Sequence, residues 1–574
     1  MDNETSSRYA SQGGSSINLL TNNKKIRVGI MLDTYHVDAW YYNILDSITR
    51  SDYASLELVI LFKSPHEKTT YTDKIRANPK TFFYTTYTEL ENRILRREPD
   101  AFAPMDAQKL LQNVPVIEIQ PQKNTYSDWI EKEDVEKIKE FNLDVILRYG
   151  SRIPKGAILN AARYGLWSYY HDDDTVVRGG PPGFWATFER KGERGAILQM
   201  LTEDVDKGMV LYRSSFPCYT YCVSKNNNHC FLRSSLFVPR LLQKLYREGE
   251  KAFFSTIKQE NKELEFYDTI LYTTPSNLKF LKVFIQHSYH FGVELLCYQF
   301  VQQQWMLMYD LQDQFSTSFR RFKKIFPPKD RFWADPHVVV KDDTYFIFIE
   351  EYLYKKKKGH ISLIEMQQSG TYSDPVIVLD EPFHLSYPHV FDHNGIWYMI
   401  PETSQANSIN LYRCTDFPTE WKYQTTLMDS VNAVDSTLLY HNNTWWLFTN
   451  ISEPEGTFNY NELFLFYSDD LLSHTWNSHP MNPVLSDVKR ARSAGKIVEQ
   501  NGVLYRPSQC GIPTYGYGIK LNEIVALTKN DYLEREIAFI EPHWDKKLQG
   551  VHTLCHENRL TMIDGYYDRF FLKG

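Results

Sequence analysis

NNTWWLFTNI, Asn442 to Ile451, sets a two-residue polar turn in front of a strand that is aromatic and apolar almost to its end. The same sentence recurs as DDTYFIFIEE (Asp342–Glu351), NGIWYMIPET (Asn394–Thr403), NGVLYRPSQC (Asn501–Cys510) and ENRLTMIDGY (Glu557–Tyr566). A second strand precedes each turn, read from ADPHVVV, YPHVFDH, VDSTLLY, SAGKIVE and VHTLCHE. The repeat is roughly 50 to 60 residues, a spacing typical of propeller blades. Five strand–turn–strand units with flanking strands predict a five-bladed β-propeller over 313–574.

Upstream the pattern changes. Helical spacing over Leu236–Arg247 and Asn277–Phe291 predicts a helical connection at 231–312, with Pro327-Pro328 at the edge of the propeller. From 25 to 230, apolar runs at Ile26–Leu32, Leu56–Phe62, Val114–Ile119 and Asp144–Tyr149 alternate with helical segments at His36–Arg50 and Lys132–Phe141. That alternation predicts a mostly parallel sheet with helices on both faces, whose ligands sit at the carboxyl ends of the strands. The expected fold class is therefore an α/β, Rossmann-like domain followed by the all-β propeller.

Composition narrows the function. A formal net charge of -7 without a strongly basic half disfavours nucleic acid as a partner. The seven cysteines are scattered and odd in number, which suits reduced thiols in a cytoplasmic protein. Cys218, Cys222, His229 and Cys230 form the one cluster, for which packing is a better reading than zinc. Residues 1–24 have no apolar core for a signal peptide and read as a disordered lead-in, and no window is apolar for the ~18 residues of a spanning helix. The first strand-to-helix turn, Asp33–His36, lacks Gly-x-Gly-x-x-Gly, so a dinucleotide cofactor is a poor reading, and no Walker-type phosphate loop occurs.

Gly165 to Tyr212 carries His171, the acids Asp172, Asp173 and Asp174, the turn Arg178-Gly179-Gly180-Pro181, and Asp206-Lys207-Gly208. In order and separation these resemble the catalytic domain of the folate-dependent formyltransferases, the family of methionyl-tRNA formyltransferase and the sugar N-formyltransferases. The resemblance implies that His171 handles the proton, that Asp206 orients it and binds the amine, and that Arg178, Gly179 and Gly180 cradle 10-formyltetrahydrofolate. The family asparagine falls where this chain has Tyr169, and Ser168 is the nearest replacement donor. The three acids read as a solvated turn.

In the propeller, residues at equivalent repeat positions face a central channel. Those positions are expected to hold Asp335, Pro388-His389, Asp435, Ser493 and His552, with Glu350, Glu402 and Asp564 at the ends of the following strands and Arg331, Trp333, Arg490 and Arg492 nearby. Carboxylates and aromatics in a concave site suit a sugar. Trp333-Ala334-Asp335-Pro336 resembles the start of the arabinanase-like glycoside hydrolases, and the whole block looks more like the propeller of plant glucosamine inositolphosphorylceramide transferases. By that resemblance Asp335 is a base and Asp435 tunes it. Arg490–Gly495 offers no glutamate where the hydrolase acid belongs, which leaves Glu402 to substitute.

The sequence thus points to a transferase of surface-glycan biosynthesis, such as that of lipopolysaccharide, passing a formyl group to an amino sugar or nucleotide sugar beside a glycan-handling propeller. One alternative puts glycosyl transfer or hydrolysis in the propeller beside a degenerate first domain. Another is a non-catalytic glycan-binding scaffold.

Overall fold

In the computed structural model, residues 24–63, 71–95, 97–123, 127–150, 152–203, 208–262, 270–453, 457 and 459–571 are described. They divide into two compact units, one mainly Asn18–Phe291 and the other mainly Gly292–Glu453 with Phe458–Gly574.

The first unit is built on a seven-stranded sheet: β1 (Ile26–Leu32), β2 (Ala54–Phe62), β3 (Val116–Ile119), β4 (Val145–Arg148), β5 (Leu166–Tyr170), β6 (Glu193–Met200) and β7 (Met209–Pro217). Its order is β7-β6-β5-β4-β1-β2-β3. The five strands from β5 to β3 run parallel, whereas β5, β6 and β7 pair antiparallel. This corrects the Rossmann-like expectation to a mixed sheet. Residues 201–208 are too short for the crossover that a parallel neighbour demands, so β6 and β7 close as a hairpin. Helices cover both faces: Ala39–Arg50 and Phe237–Glu260 bury Trp40, Ile44, Leu45, Leu242 and Phe253 on one, and Lys132–Lys139 buries Val135 and Ile138 on the other. Two clefts of this unit, about 550 and 470 Å³, open beside Asn142–Asp144 and Tyr164–Gly165, at the amino ends of β4 and β5. Ligands on such sheets sit at the opposite, carboxyl end.

The second unit is a five-bladed β-propeller. The first four blades are consecutive meanders, with inner hairpins Arg331–Lys341/Thr344–Leu353, Ser386–His393/Ile396–Glu402, Ala433–His441/Thr444–Ile451 and Val498–Gln500/Val503–Cys510. The fifth joins the two ends of the unit: Leu554–Glu557 and Leu560–Phe570 come from its carboxyl end, and Val301–Leu311 pairs antiparallel with Leu560–Phe570 along its whole length. The helical spacing upstream accordingly ends at Phe300, and the chain turns directly from the helix Asn277–Phe300 into that closing strand.

The hairpin turns explain why Asn and Asp recur. Asp342, Asp343, Asn394, Asn442, Asn443, Asn501 and Asn558 all hold φ between 49° and 57°, a conformation that these two residue types tolerate better than most. The aromatic strands then pack blade on blade. Tyr398 and Ile400 meet Trp445 and Leu447 between the second and third blades, and Trp446 and Phe448 meet Ile497 and Leu504 between the third and fourth. Comparable layers fill the other three interfaces, so the ring is closed all round.

Candidate functional site

The inner strands of the first three blades share one distortion. Asp335, Tyr387 and Asp435 hold φ of 51°, 43° and 48°. In each case two residues of the inner strand oppose one of its partner, after Ala334, Ser386 and Val434. A bulge of this kind re-aims a side chain, and a non-glycine residue at positive φ costs on the order of 1–3 kcal/mol. Repetition at three equivalent places marks them as a set. The register therefore aligns Tyr387 with Asp335 and Asp435 and moves His389 two residues along, beside His337, whose ring it meets edge-on at 4.8 Å.

Around this set the carboxylates have distinct partners. Arg492, from the fourth blade, pairs with Asp435 through Nε and, at 3.3 Å, through Nη2, and stands 4.0 Å from Glu402. Gln509 donates to Asp435 at 3.1 Å, and the Tyr515 ring lies under the guanidinium at 5.1 Å. Asp335 accepts from the Thr553 hydroxyl at 2.7 Å and from the Tyr387 N–H at 3.2 Å. His552 stands between Asp564, 2.7 Å from Nδ1, and Asp335, 3.6 Å from Nε2, with its ring on Trp305. Glu350 is 6% exposed, with the His384 ring 3.5 Å from its carboxyl.

Among the described residues, Asp335, His552 and Asp564 are the one group close enough to hold a cation. Asp564, however, already accepts from the N–H groups of Asp335, His552 and Thr553 and from the His552 ring. Four donors fill its four lone-pair sites, so this carboxylate is satisfied as a hydrogen-bond acceptor and does not fit a metal.

Protonation is divided within the set. Burial, with Asp435 adding to it, pushes the Glu402 carboxyl up to about 8. Burial together with Asp335 and Glu402 holds Glu350 well above the ordinary carboxyl range. Burial also raises Asp335, but the His552 imidazole opposes it and the result is about 6. At His552 burial works against the charged ring, and Asp564 and Asp335 outweigh it. Near neutral pH the cup thus holds a neutral acid, Glu402, beside Asp335, whose carboxyl is raised less because His552 opposes the burial, the pattern that separates an acid from a base.

His389 has a different role. Its ring is buried and held neutral, pushed down to about 3 by burial and by Lys496. The unfolded chain takes up this proton first, so stability falls as pH drops below ~6.5 and continues to fall to about 3, by ~1.4 kcal/mol per unit. His389→Leu should therefore reduce the loss of unfolding free energy between about pH 7.5 and about pH 5.5 by roughly 1.4 kcal/mol, read from denaturant titrations.

Among the described residues of the first unit, His171 and the turn Arg178–Gly180 are each packed against later segments of the chain. His171 lies face to face with Phe231 at 3.5 Å, bonds Ser234 Oγ through Nε2, and is half-buried with its pKa well below the ordinary value, from desolvation and then Arg194. It stacks on Tyr169, and strand alternation sends Ser168 to the other face. The turn Arg178–Gly180 is covered by the chain itself: Tyr272 N–H donates to Arg178 O, Gly180 N–H donates to Tyr272 O, and a Cβ on Gly179 would stand 2.2 Å from Tyr272 O. Asp206 lies outside the described residues. The three acids are not a solvated turn: Asp172 and Asp173 are buried against Arg194 and Arg213.

Tyr387, Gln509 and Thr553 were not legible as site residues. One signal was available: Asp335-Pro336-His337 and Tyr387-Pro388-His389 are the same phrase, which aligns His389 with His337.

Comparison with known proteins bears on the second unit. The family model described as "Glucosamine inositolphosphorylceramide transferase 1, N-terminal" matches residues 322–555. Glucosamine inositolphosphorylceramide transferase 1 of Oryza sativa subsp. japonica is 37% identical over 206 residues, 35% of this chain and 27% of that protein. The chain thus spans about a quarter of the length of the curated relatives it matches. Among solved structures, the β-xylosidase/α-arabinofuranosidase CoXyl43 from a compost metagenome covers 42% of this chain and 91% of its own at 12% identity and a TM-score of 0.33. Glycinamide ribonucleotide transformylase 1 of Symbiobacterium toebii covers 39% and 89% at 14% identity and 0.27. The family match and the relatives are to sugar-lipid transferases, which corrects formyl transfer and 10-formyltetrahydrofolate as the chemistry of this chain.

Proposed function

We propose that the propeller is a sugar site that takes part in glycosyl transfer. The observation that supports it most is the divided protonation of Glu402 and Asp335 within one carboxylate cup. Glu402, neutral near pH 7, gives its proton to the oxygen leaving the anomeric carbon. Asp335 takes the proton of the acceptor hydroxyl as the new carbon–oxygen bond forms, so one proton enters the site for each that leaves. Asp435, fixed by Arg492 and Gln509, stabilises the positive charge that develops on the sugar ring. The relatives' names suggest glucosamine as the sugar and an inositolphosphorylceramide headgroup as the acceptor.

A bell-shaped dependence of kcat/KM on pH is expected, rising through about 6 as Asp335 ionises and falling through about 8 as Glu402 does. Steady-state rates of glucosamine transfer by the intact chain across that range check it. A flat profile would remove these two groups from the acid and base roles. The second reading, a binding module without catalysis, is favoured by Arg492, which neutralises Asp435 from the blade where the hydrolases carry their acid. It predicts glucosamine binding by calorimetry with no turnover.

A further inference from the structure

We propose that the first unit docks on the surface of an anionic lipid bilayer through the outer faces of the helix Phe82–Ile94 and of residues 277–291 of the helix Asn277–Phe300. The two helices form one surface. Asn277 accepts from Phe83 N–H at 3.1 Å and donates to Pro79 O at 3.0 Å, and Tyr87 packs on Phe280 and Phe284. Their inner faces are used up by Tyr84, Tyr87, Phe280 and His287.

The outer faces are apolar at helical spacing. Leu278, Leu281, Ile285 and Tyr289 form one stripe, and Phe83, Leu90 and Ile94 another. Leu278 is 82% exposed, Ile94 73% and Ile285 67%. Scattered exposed leucines are ordinary, but two adjoining stripes of leucine, isoleucine and aromatic residues are not, and they mark a surface that is covered in use.

Charge selects the occupant. Described residues 71–95 and 270–291 carry six basic side chains, Lys74, Arg76, Lys80, Arg93, Lys279 and Lys282, against three acids, Asp73, Glu89 and Glu91, in a chain of net charge -7. Two of the acids are engaged locally, Glu89 with Arg93 and Glu91 with the N–H groups of Val223 and Ser224. An apolar stripe flanked by lysines, with tyrosine and phenylalanine at its margin, is the pattern that inserts to the headgroup boundary of an anionic membrane. No helix among the described residues is long and apolar enough to cross a membrane, so the contact is with the surface.

The test is cosedimentation of the intact chain with vesicles of phosphatidylcholine alone and of phosphatidylcholine with phosphatidylserine, at low and high salt. We expect binding to the mixed vesicles that weakens with salt. Leu278→Asp combined with Ile285→Asp should lower the partition coefficient about tenfold or more. Lys80→Glu combined with Lys282→Glu should abolish the preference for phosphatidylserine. All four positions are on the surface, so unchanged thermal unfolding and unchanged circular dichroism confirm that the variants fold. Absence of binding, or binding that the four substitutions do not alter, overturns the proposal. A dimer in light scattering that the Leu278/Ile285 variant dissociates, without vesicle binding, also overturns it and assigns the surface to a second copy of the chain.

Discussion

Glu402→Gln should lower kcat for glycosyl transfer by about 10²–10⁴ while KM stays within a few-fold. The amide keeps the shape of the neutral carboxyl and its bond to Ser404 Oγ, present at 2.8 Å in the wild type, but it has no proton to give. The loss should be largest for substrates whose leaving oxygen is most basic, and activated aryl glycosides should be partly spared. The alkaline limb near 8 should disappear with it, because burial and Asp435 place that limb on Glu402. Parallel pH–rate profiles for the wild type and the variant, with aryl and alkyl leaving groups, check both expectations. A raised KM with kcat unchanged for every leaving group would assign Glu402 to binding.

Glu534→Ala should cost about 3–5 kcal/mol of stability, the largest effect expected from a single change outside the cup. The side chains of Arg506 and Glu534 are each 1% exposed and are joined by two bonds of 2.8 Å, from Nε and from Nη2. The remaining reach of Arg506 goes to Arg490 O at 2.7 Å, on the segment that delivers Arg492 to the site. Removal of the carboxylate leaves an uncompensated buried guanidinium and loosens the fourth blade where it meets the cup. Replacement of both partners, Arg506→Met with Glu534→Leu, should recover most of the loss, since the stability of a buried pair is judged against an apolar pair of similar volume. Urea titrations of the single and double variants measure this, and sugar affinity should fall with Glu534→Ala even at temperatures where the protein stays folded.

The propeller was legible because its signal is local and repeated. Each polar turn needs positive φ, each following strand needs aromatic bulk for the next blade, and both needs are written in the residues that meet them. The carboxylates were legible for the same reason, since Asp335, Glu350, Glu402 and Asp435 sit at fixed offsets from the turns. The bulge was not, because Tyr387 shares no chemistry with Asp335 and only the Pro-His pair that follows each of them hints at the alignment their backbones show. In the first unit the order of His171, Arg178 and Asp206 matched a known pattern, yet order along the chain says nothing about what covers a residue. Phe231 and Tyr272 arrive from far downstream and occupy the space that the pattern requires to be open. The antiparallel turn of β6 and β7 was missed because an apolar run has the same appearance in either direction.

The most direct test follows glucosamine transfer by mass spectrometry in three forms of the intact chain: wild type, Glu402→Gln and His171→Leu. With the chemistry in the propeller, His171→Leu keeps its turnover, corrected for folded fraction, and Glu402→Gln loses it by about 10²-fold or more. Loss of turnover with His171→Leu and retention with Glu402→Gln would return the chemistry to the first unit and contradict the account.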